Sequence, residues 1–342
     1  MSADISIAGW DIGGAHLKLA YVSQGELCVR QIHCPLWRGI HELHAILNTL
    51  VHQLPTAIKT HHVTMTGELV DCFTNRQEGV EEIINAFVEN MPQAIKIFSK
   101  QGLYTPDQAK ADYESVASMN WMASAQNVAA HYDKAISVDM GSTTTDILRI
   151  QKNALVLEGE TDHHRLSTGE LVYTGVVRSC VNTLCSEVPF MNATVPLIAE
   201  NFAVSADIYR ILNLLPQHAD LGDTMDNGPK DQLSSLKRLA RMIGLDYSEK
   251  EFEHWNTVAE YLMQQQMKKI KIAIARLNHK VESDVIVGAG VGSFLLEQIA
   301  QELDMSYQDF SHSVVPKSLQ IPIHVNDCAP AVALVFHEFG CD

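Results

Sequence analysis

The chain lacks long apolar runs. Nowhere do about twenty apolar residues follow one another, the length a membrane helix requires. It is also short of positive charge: 25 basic residues stand against 41 acidic ones, a balance of −16. That argues against a nucleic-acid backbone as the main partner. Its seven cysteines are an odd number without a C-x-x-C pair. This fits reduced thiols rather than a disulfide framework. Cys180 and Cys185, the nearest pair, read as small core residues. The opening Met1-Ser2-Ala3-Asp4 has neither the basic start nor the apolar stretch of a signal peptide. A cytoplasmic protein with no membrane partner is expected. No low-complexity tract occurs. At 342 residues the chain exceeds one compact core and suits two domains.

What the chain does contain is one internal echo. The first half reads Ile7-Ala8-Gly9-Trp10-Asp11-Ile12-Gly13-Gly14-Ala15-His16-Leu17-Lys18, and the second Ala135-Ile136-Ser137-Val138-Asp139-Met140-Gly141-Ser142-Thr143-Thr144-Thr145-Asp146. Each is an apolar run, an aspartate, a Gly-marked turn and a second apolar run. That pattern is a β-hairpin with a carboxylate at the mouth of its corner. Glycine lets the backbone turn tightly and approach a ligand. Bare N–H groups in such a turn form a nest for phosphate oxygens. A carboxylate there can hold Mg²⁺ directly or through water. Two such corners, facing each other, would clamp a polyphosphate from both sides. One alone would be an ordinary turn more often than not.

Around these corners the periodicity predicts a β-meander over residues 4–33 and helices near 40–52, 79–90 and 120–132, with strands near 63–66 and 95–98. The unit that opens at 135 repeats the three-strand start and continues into a helix-rich middle, about 203–280. There Met263, Met267, Ile270, Ile274 and Leu277 form a buried stripe, the Met residues as core filler. The polar segment Leu221–Lys230 reads as an exposed, mobile loop. Val285-Ile286-Val287 is a buried strand entering Gly288-Ala289-Gly290-Val291-Gly292-Ser293 and a helix. Its spacing is not G-x-G-x-x-G, so a strand-to-helix turn at a nucleotide-like or substrate pocket is favoured over a dinucleotide domain. An amphipathic helix over 326–342 is expected to return to the first domain. His61-His62 and His163-His164 lack partners at metal-ligand spacing and read as surface loops. Tyr173 reads as a packing residue.

Two Gly hairpins followed by a late strand–Gly–helix element resemble the two-domain α/β fold of actin, Hsp70 and the sugar kinases, a ribonuclease H-like fold. The resemblance implies domain I over 1–134 with the first phosphate hairpin. It implies domain II over 135–325 with the second hairpin and an adenosine-type turn at Gly288, Gly290 and Gly292. Both corners, and Asp139–Asp146 most closely, resemble hydantoinase/oxoprolinase sequences, which are longer chains. The segments Met65-Thr66-Gly67-Glu68-Leu69-Val70-Asp71-Cys72-Phe73 with Arg76 and Glu78-Gly79-Val80, and Leu166–Gly175, are similar to a shorter family. That family is linked to tetrahydromethanopterin-dependent one-carbon metabolism and includes a methanofuran-biosynthesis synthase.

That resemblance implies a transferase. It would join an aminomethylfuran-methyl diphosphate to the phenol of a γ-glutamyl-tyramine or tyrosine-type acceptor, without ATP. Diphosphate would leave and an aryl ether would form. On this reading Asp11 and Asp139 orient Mg²⁺, and Gly13, Gly14, Gly141, Ser142, Thr143 and Thr144 cradle phosphate oxygens. Lys18 pairs with a phosphate, or is a solvated strand residue. Glu68, Asp71 and Glu170 are candidates for a base toward the phenol or for binding a substrate ammonium. Arg76 would hold a carboxylate or the diphosphate. The alternative is an ATP-dependent kinase or amidohydrolase subunit of the same fold. A nucleotide-sensing partner without a small-molecule acceptor is disfavoured by the polar clusters at 66–78 and 166–175. The partners are small molecules, with a homodimer possible on general grounds.

Overall fold

The computed structural model describes residues 5–336. The chain divides into two compact units. The first takes the chain up to Lys134, then Ile150–Val156, and the chain from Gln308 onward. The second takes Ala135–Arg149 and Leu157–Tyr307.

The first unit opens with a meander: β1 (Ile7–Ile12), β2 (His16–Ser23) and β3 (Glu26–His33). Next come α1 (His41–Val51), β4 (Thr60–Met65), α2 (Arg76–Asn90), β5 (Ala94–Ser99), β6 (Gly102–Tyr104), α3 (Pro106–Ala111) and α4 (Asn120–Ala129). The sheet order is β3-β2-β1-β4-β5-β6. β1–β2 and β2–β3 are antiparallel, whereas β4 joins β1 and β5 joins β4 in parallel. Strand alternation sends Trp10, Ile12, Leu17, Leu19, Val63 and Met65 into one core with Val80, Ile83, Ile84 and Phe87 of α2. The same alternation puts Gly9 and Asp11 on the opposite face.

The second unit opens with β7 (Lys134–Met140) and β8 (Thr145–Gln151), the end of β8 leading into β9 (Ala154–Val156), which counts with the first unit. It continues with α5 (Asp162–Thr168), β10 (Leu171–Val172), a separate hairpin of β11 (Glu187–Phe190) and β12 (Ala193–Pro196), α6 (Ser205–Ile211), α7 (Gln232–Arg241) and α8 (Phe252–Asn278). β13 (Val285–Ala289), α9 (Ser293–Glu302) and β14 (Ser306–Asp309) follow. The order is β10-β8-β7-β13-β14, with β9 also pairing β8. Counted from its own first strand, the first sheet runs third, second, first, fourth, fifth, sixth; in the second, the hairpin β8-β7 is extended by β13 and β14 on the side where β2-β1 is extended by β4 and β5. This is the α/β architecture of the actin, Hsp70 and sugar-kinase fold.

After β14 the chain forms α10 (Phe310–Val314) and α11 (Ala329–Phe336) in the first unit. α11 lies on β1 because Gly9 has no side chain: a Cβ there would land on the carbonyl oxygen of Ala331. The remainder of the 326–342 helix expectation falls outside the described residues.

Three sequence expectations are corrected. His61 and His62 are on β4 and buried, because β4 is an inner strand whose edges pair with β1 and β5 and whose faces are covered by helices, α11 and α4 among them. His163 and His164 are exposed, as expected, but lie in a helix, α5, which Thr161 caps by accepting from the His164 N–H. The 221–230 segment is largely exposed, as expected, but is tied down. Asp226 takes Arg238 at 3.1 Å, and Arg210 and Lys230 reach Asp220 at 2.6 and 3.5 Å. Met267, Ile270, Ile274 and Leu277 of the α8 stripe are buried as the spacing required, with Met263 partly buried at its start. Among the described residues no helix is long and apolar enough to cross a membrane, and six cysteines are free thiols.

Candidate functional site

The first corner joins β1 to β2. Asp11 pairs with Lys18 across the ladder. Lys18 Nζ stands 3.3 Å from Asp11 Oδ2, the carboxylate being 2% exposed and the lysine 21%. Asp11 Oδ1 is buried with no hydrogen-bond partner. A buried carboxylate oxygen left without a donor is costly unless something else takes it, so this donor set fits a cation or a metal-bound water.

The corner backbone is held from behind. Gly13 N–H donates to His16 O at 2.9 Å, Thr66 N–H to Ile12 O at 2.9 Å and Leu36 N–H to Gly14 O at 3.1 Å. A Cβ on Gly14 would come within 2.8 Å of Val70, and one on Gly67 within 3.1 Å of Ile12 O. Glu68 follows in the same 3₁₀ turn, fully buried, and Ser118 Oγ donates to its Oε1 at 2.7 Å. α2 can approach because Gly79 faces the Glu68 backbone. Asp71 is exposed, and Arg76 is the first residue of α2. The 65–80 motif is thus a brace for the first corner. The cross-strand pair His16 and His33, with ring centres 6.2 Å apart, and Trp37, 6.3 Å from His33, also adjoin this corner.

The second corner is built alike. Gly141 N–H closes it on Thr144 O at 2.8 Å. Val176 N–H donates to Gly141 O at 3.1 Å, and the N–H groups of Val177 and Arg178 both donate to Ser142 O, at 3.0 and 2.9 Å. No peptide bond here is cis. In a trans peptide the C=O and the following N–H point in opposite directions. Carbonyls drawn toward 176–178 therefore send the N–H groups of Ser142 and Thr143 the other way, as a donor pair. That is the arrangement an anion nest needs. Asp139 precedes it at the end of β7. Gly290, at φ 84°, passes so close that a Cβ would land on Asp139 Oδ1 and Met140 O. Gly292 N–H donates to Met140 O at 2.8 Å, and Gly288 lies under the ring of Tyr307. The Gly288–Gly292 turn packs on β7 and leads into α9.

Glu170 occupies a different setting. It is fully buried, and its carboxylate accepts from Glu158 N–H at 2.8 Å, Gly159 N–H at 2.7 Å and Thr168 Oγ1 at 2.9 Å. With both oxygens occupied it serves as a strut. Arg165, also buried, reaches Asp146 at 2.5 Å and the Glu170 carbonyl at 3.2 Å. Tyr173, taken from the sequence as packing, is 69% exposed.

Sequence reasoning missed a buried polar cluster behind the second corner. Gly175 O accepts from Ser179 Oγ at 3.0 Å, Ser205 Oγ at 2.8 Å and Gln266 Nε2 at 2.8 Å. Gln266 Nε2 also reaches Thr174 Oγ1 at 2.8 Å, and Tyr209 OH donates to Gln266 Oε1 at 2.6 Å. The available signal was Gln266 itself, a polar residue at a core position of the α8 stripe between Met263 and Ile270.

Comparison with known proteins agrees with this architecture. The hydantoinase/oxoprolinase family profile matches residues 59–316. The chain is 32% identical over 303 residues to a protein of Methanocaldococcus jannaschii named (4-{4-[2-(gamma-L-glutamylamino)ethyl]phenoxymethyl}furan-2-yl)methanamine synthase, covering 88% of this chain and 90% of that one. A protein of the same name from Methanococcus vannielii is 29% identical over 183 residues, 53% of this chain and 82% of that one. Among solved structures, nucleotide-free acetone carboxylase superposes with a TM-score of 0.58 at 11% identity, covering 97% of this chain and 70% of that one. That likeness concerns the fold alone.

Proposed function

We propose, for a chain that belongs to the hydantoinase/oxoprolinase family, a transferase that builds a methanofuran-type carrier precursor. It joins an aminomethylfuran-methyl diphosphate to the phenol of a γ-glutamyl-tyramine or tyrosine-type acceptor. One observation carries the reading: 32% identity, over nine-tenths of the relative, to a synthase whose name specifies a phenoxymethyl-furan product. In the reaction the phenolic oxygen forms a bond to the furan methylene carbon. The bond from that carbon to the diphosphate oxygen breaks, diphosphate leaves with the electron pair, and the phenol proton passes to a base.

The chain's own groups suit that chemistry. Negative charge grows on the leaving oxygen as its bond to carbon breaks, and preorganised donors stabilise it more than the ground state. The outward N–H groups of Ser142 and Thr143 are such donors, with the Thr143 and Thr144 hydroxyls beside them. At the first corner Lys18 supplies a point charge and Gly13 and Gly14 allow close approach. At the first corner Asp11, with its second oxygen open, is the residue that would hold Mg²⁺; at the second corner it is Asp139. When bound, that ion neutralises diphosphate charge. Arg76 is the group suited to a substrate carboxylate, by bidentate contact. Of the three carboxylates considered as base, Glu68 fits best: it is buried beside the first corner and oriented by Ser118. Glu170 is occupied, and Asp71 is open to solvent.

The test is to incubate the protein with Mg²⁺, the furan diphosphate and γ-glutamyl-tyramine, without ATP, and follow products by mass spectrometry. The reading expects coupled ether and diphosphate in equal amounts. Turnover of ATP with neither product would favour the kinase or amidohydrolase alternative.

A further inference from the structure

Gln266 is fully buried on α8, and its amide is fully engaged. Its Oε1 accepts from Tyr209 OH, while its Nε2 donates to both Thr174 Oγ1 and Gly175 O. Burial pushes the Tyr209 phenol up, so it stays protonated and a donor. Two neighbouring side chains grip the same glycine. Ser179 Oγ lies 2.8 Å from Gly175 N and 3.0 Å from Gly175 O, and Ser205 Oγ lies 2.8 Å from that oxygen. Three donors on one carbonyl exceed what a turn needs for satisfaction, since a carbonyl offers two lone pairs.

The consequence lies one step further on. Gly175 lies against the anion corner: a Cβ there would be 2.5 Å from Ser142 C and from Thr143 N. The three residues after it donate the N–H groups that turn the Gly141 and Ser142 carbonyls inward. Moving Gly175 therefore moves Val176, Val177 and Arg178. Those three decide which way the Ser142 and Thr143 N–H groups point. The Thr145 hydroxyl, donating to Thr174 O at 2.8 Å, closes the loop of contacts from the corner's other strand.

We propose that Gln266 is a positioning residue for the anion site at Gly141–Thr144, acting through Gly175 and the 176–178 N–H groups. The inference rests on the reading that this corner receives a diphosphate. It touches no ligand itself. Hydrogen bonds that orient a metal ligand from behind commonly set about ten- to a hundredfold in affinity, and a comparable scale is expected for these oriented N–H groups.

The test compares three full-length proteins: wild type, Gln266→Met and Tyr209→Phe. Binding of inorganic diphosphate with Mg²⁺ is measured by calorimetry, and amide hydrogen exchange is followed over 141–144 and 174–178. Gln266→Met keeps the volume and removes both donors to the 174–175 segment. Tyr209→Phe removes the contact on the far side of Gln266 and leaves those donors in place. The expected result is a diphosphate Kd weakened about tenfold or more in Gln266→Met, with faster exchange at both segments, and a near-normal Kd in Tyr209→Phe. A folded Gln266→Met that binds like wild type overturns the inference. Equal weakening in both variants also overturns it, because that would be a general packing effect. If Gln266→Met does not fold, Ser205→Ala removes one donor from the same carbonyl and is expected to weaken binding in the same direction. A Ser205→Ala that binds normally overturns the inference. A wild-type protein that binds no diphosphate overturns the underlying reading of the corner instead.

Discussion

Lys18 Nζ lies 3.3 Å from Asp11 Oδ2 across the β1–β2 ladder, while Oδ1 of the same buried carboxylate has no hydrogen-bond partner. One oxygen is fixed by the protein and the other left for a visitor. Asp11→Asn keeps the shape and removes the charge. Turnover is expected to fall by at least about a hundredfold, the scale at which preorganised charge acts in transition states. The Mg²⁺ requirement should rise with it. The fold is expected to persist, because Lys18 is partly exposed and water softens the loss of its partner. Initial rates across an Mg²⁺ titration check this. A fully active Asp11→Asn with wild-type Mg²⁺ dependence would remove Asp11 from the site.

Glu170 makes the opposite case. Its carboxylate accepts three hydrogen bonds in a dry setting. Glu170→Gln turns one acceptor oxygen into an amino group facing a donor. Bonds to charged groups are worth on the order of 1.5–3 kcal/mol each, and a stranded partner adds to the loss. An unfolding free energy lowered by about 2–3 kcal/mol is expected from urea melts. An unchanged midpoint would show that the 158–170 segment does not depend on this strut.

These two carboxylates show where sequence reading stops. Both corners, their aspartates and the strand–turn–helix at Gly288 were legible, because glycine spacing and apolar periodicity are local signals. The segments 65–80 and 166–175 were legible as polar clusters and as carriers of a family resemblance, but not as braces. Their physical role, each bracing the corner of its own unit, depends on pairings such as Thr66 with Ile12 and Val176 with Gly141, and local composition does not encode such pairings. In the sequence Asp11 stands before a glycine corner and Glu170 in a polar cluster, and both were candidates for chemistry. Only the donor count around each distinguishes an open oxygen from an occupied one. His61 and His62 failed for a related reason: their burial is set by elements distant in the chain, such as α11, whose Leu334 carbonyl meets the His62 ring.

His61 yields a pH prediction. Trp10 Nε1–H donates to His61 Nδ1 at 3.0 Å, and His61 Nε2 faces Gln93 Oε1 at 3.0 Å. The ring is therefore the neutral Nε2–H tautomer. Burial lowers its pKa from the ordinary 6.5, with the Gln93 contact opposing. His62 is lowered too, first by burial, then by Lys96 and His61, against the opposing Leu334 hydrogen bond. With folded pKa values depressed, the unfolded chain binds more protons below about 6.5. Stability from these residues is present above that pH and lost as pH falls through it, by at most about 1.4 kcal/mol per pH unit per proton. Urea melts at pH 5 to 7.5 should show this slope, and His61→Gln should flatten it. Parallel slopes in the two proteins would contradict the assignment.

The most direct measurement uses acceptor labelled with ¹⁸O at the phenol, the furan diphosphate, Mg²⁺ and no ATP. The account expects a single coupled product that keeps the label in its ether bridge, with unlabelled diphosphate released in equal amount. Label in a phosphate product, or product formed only when ATP is supplied, would contradict it.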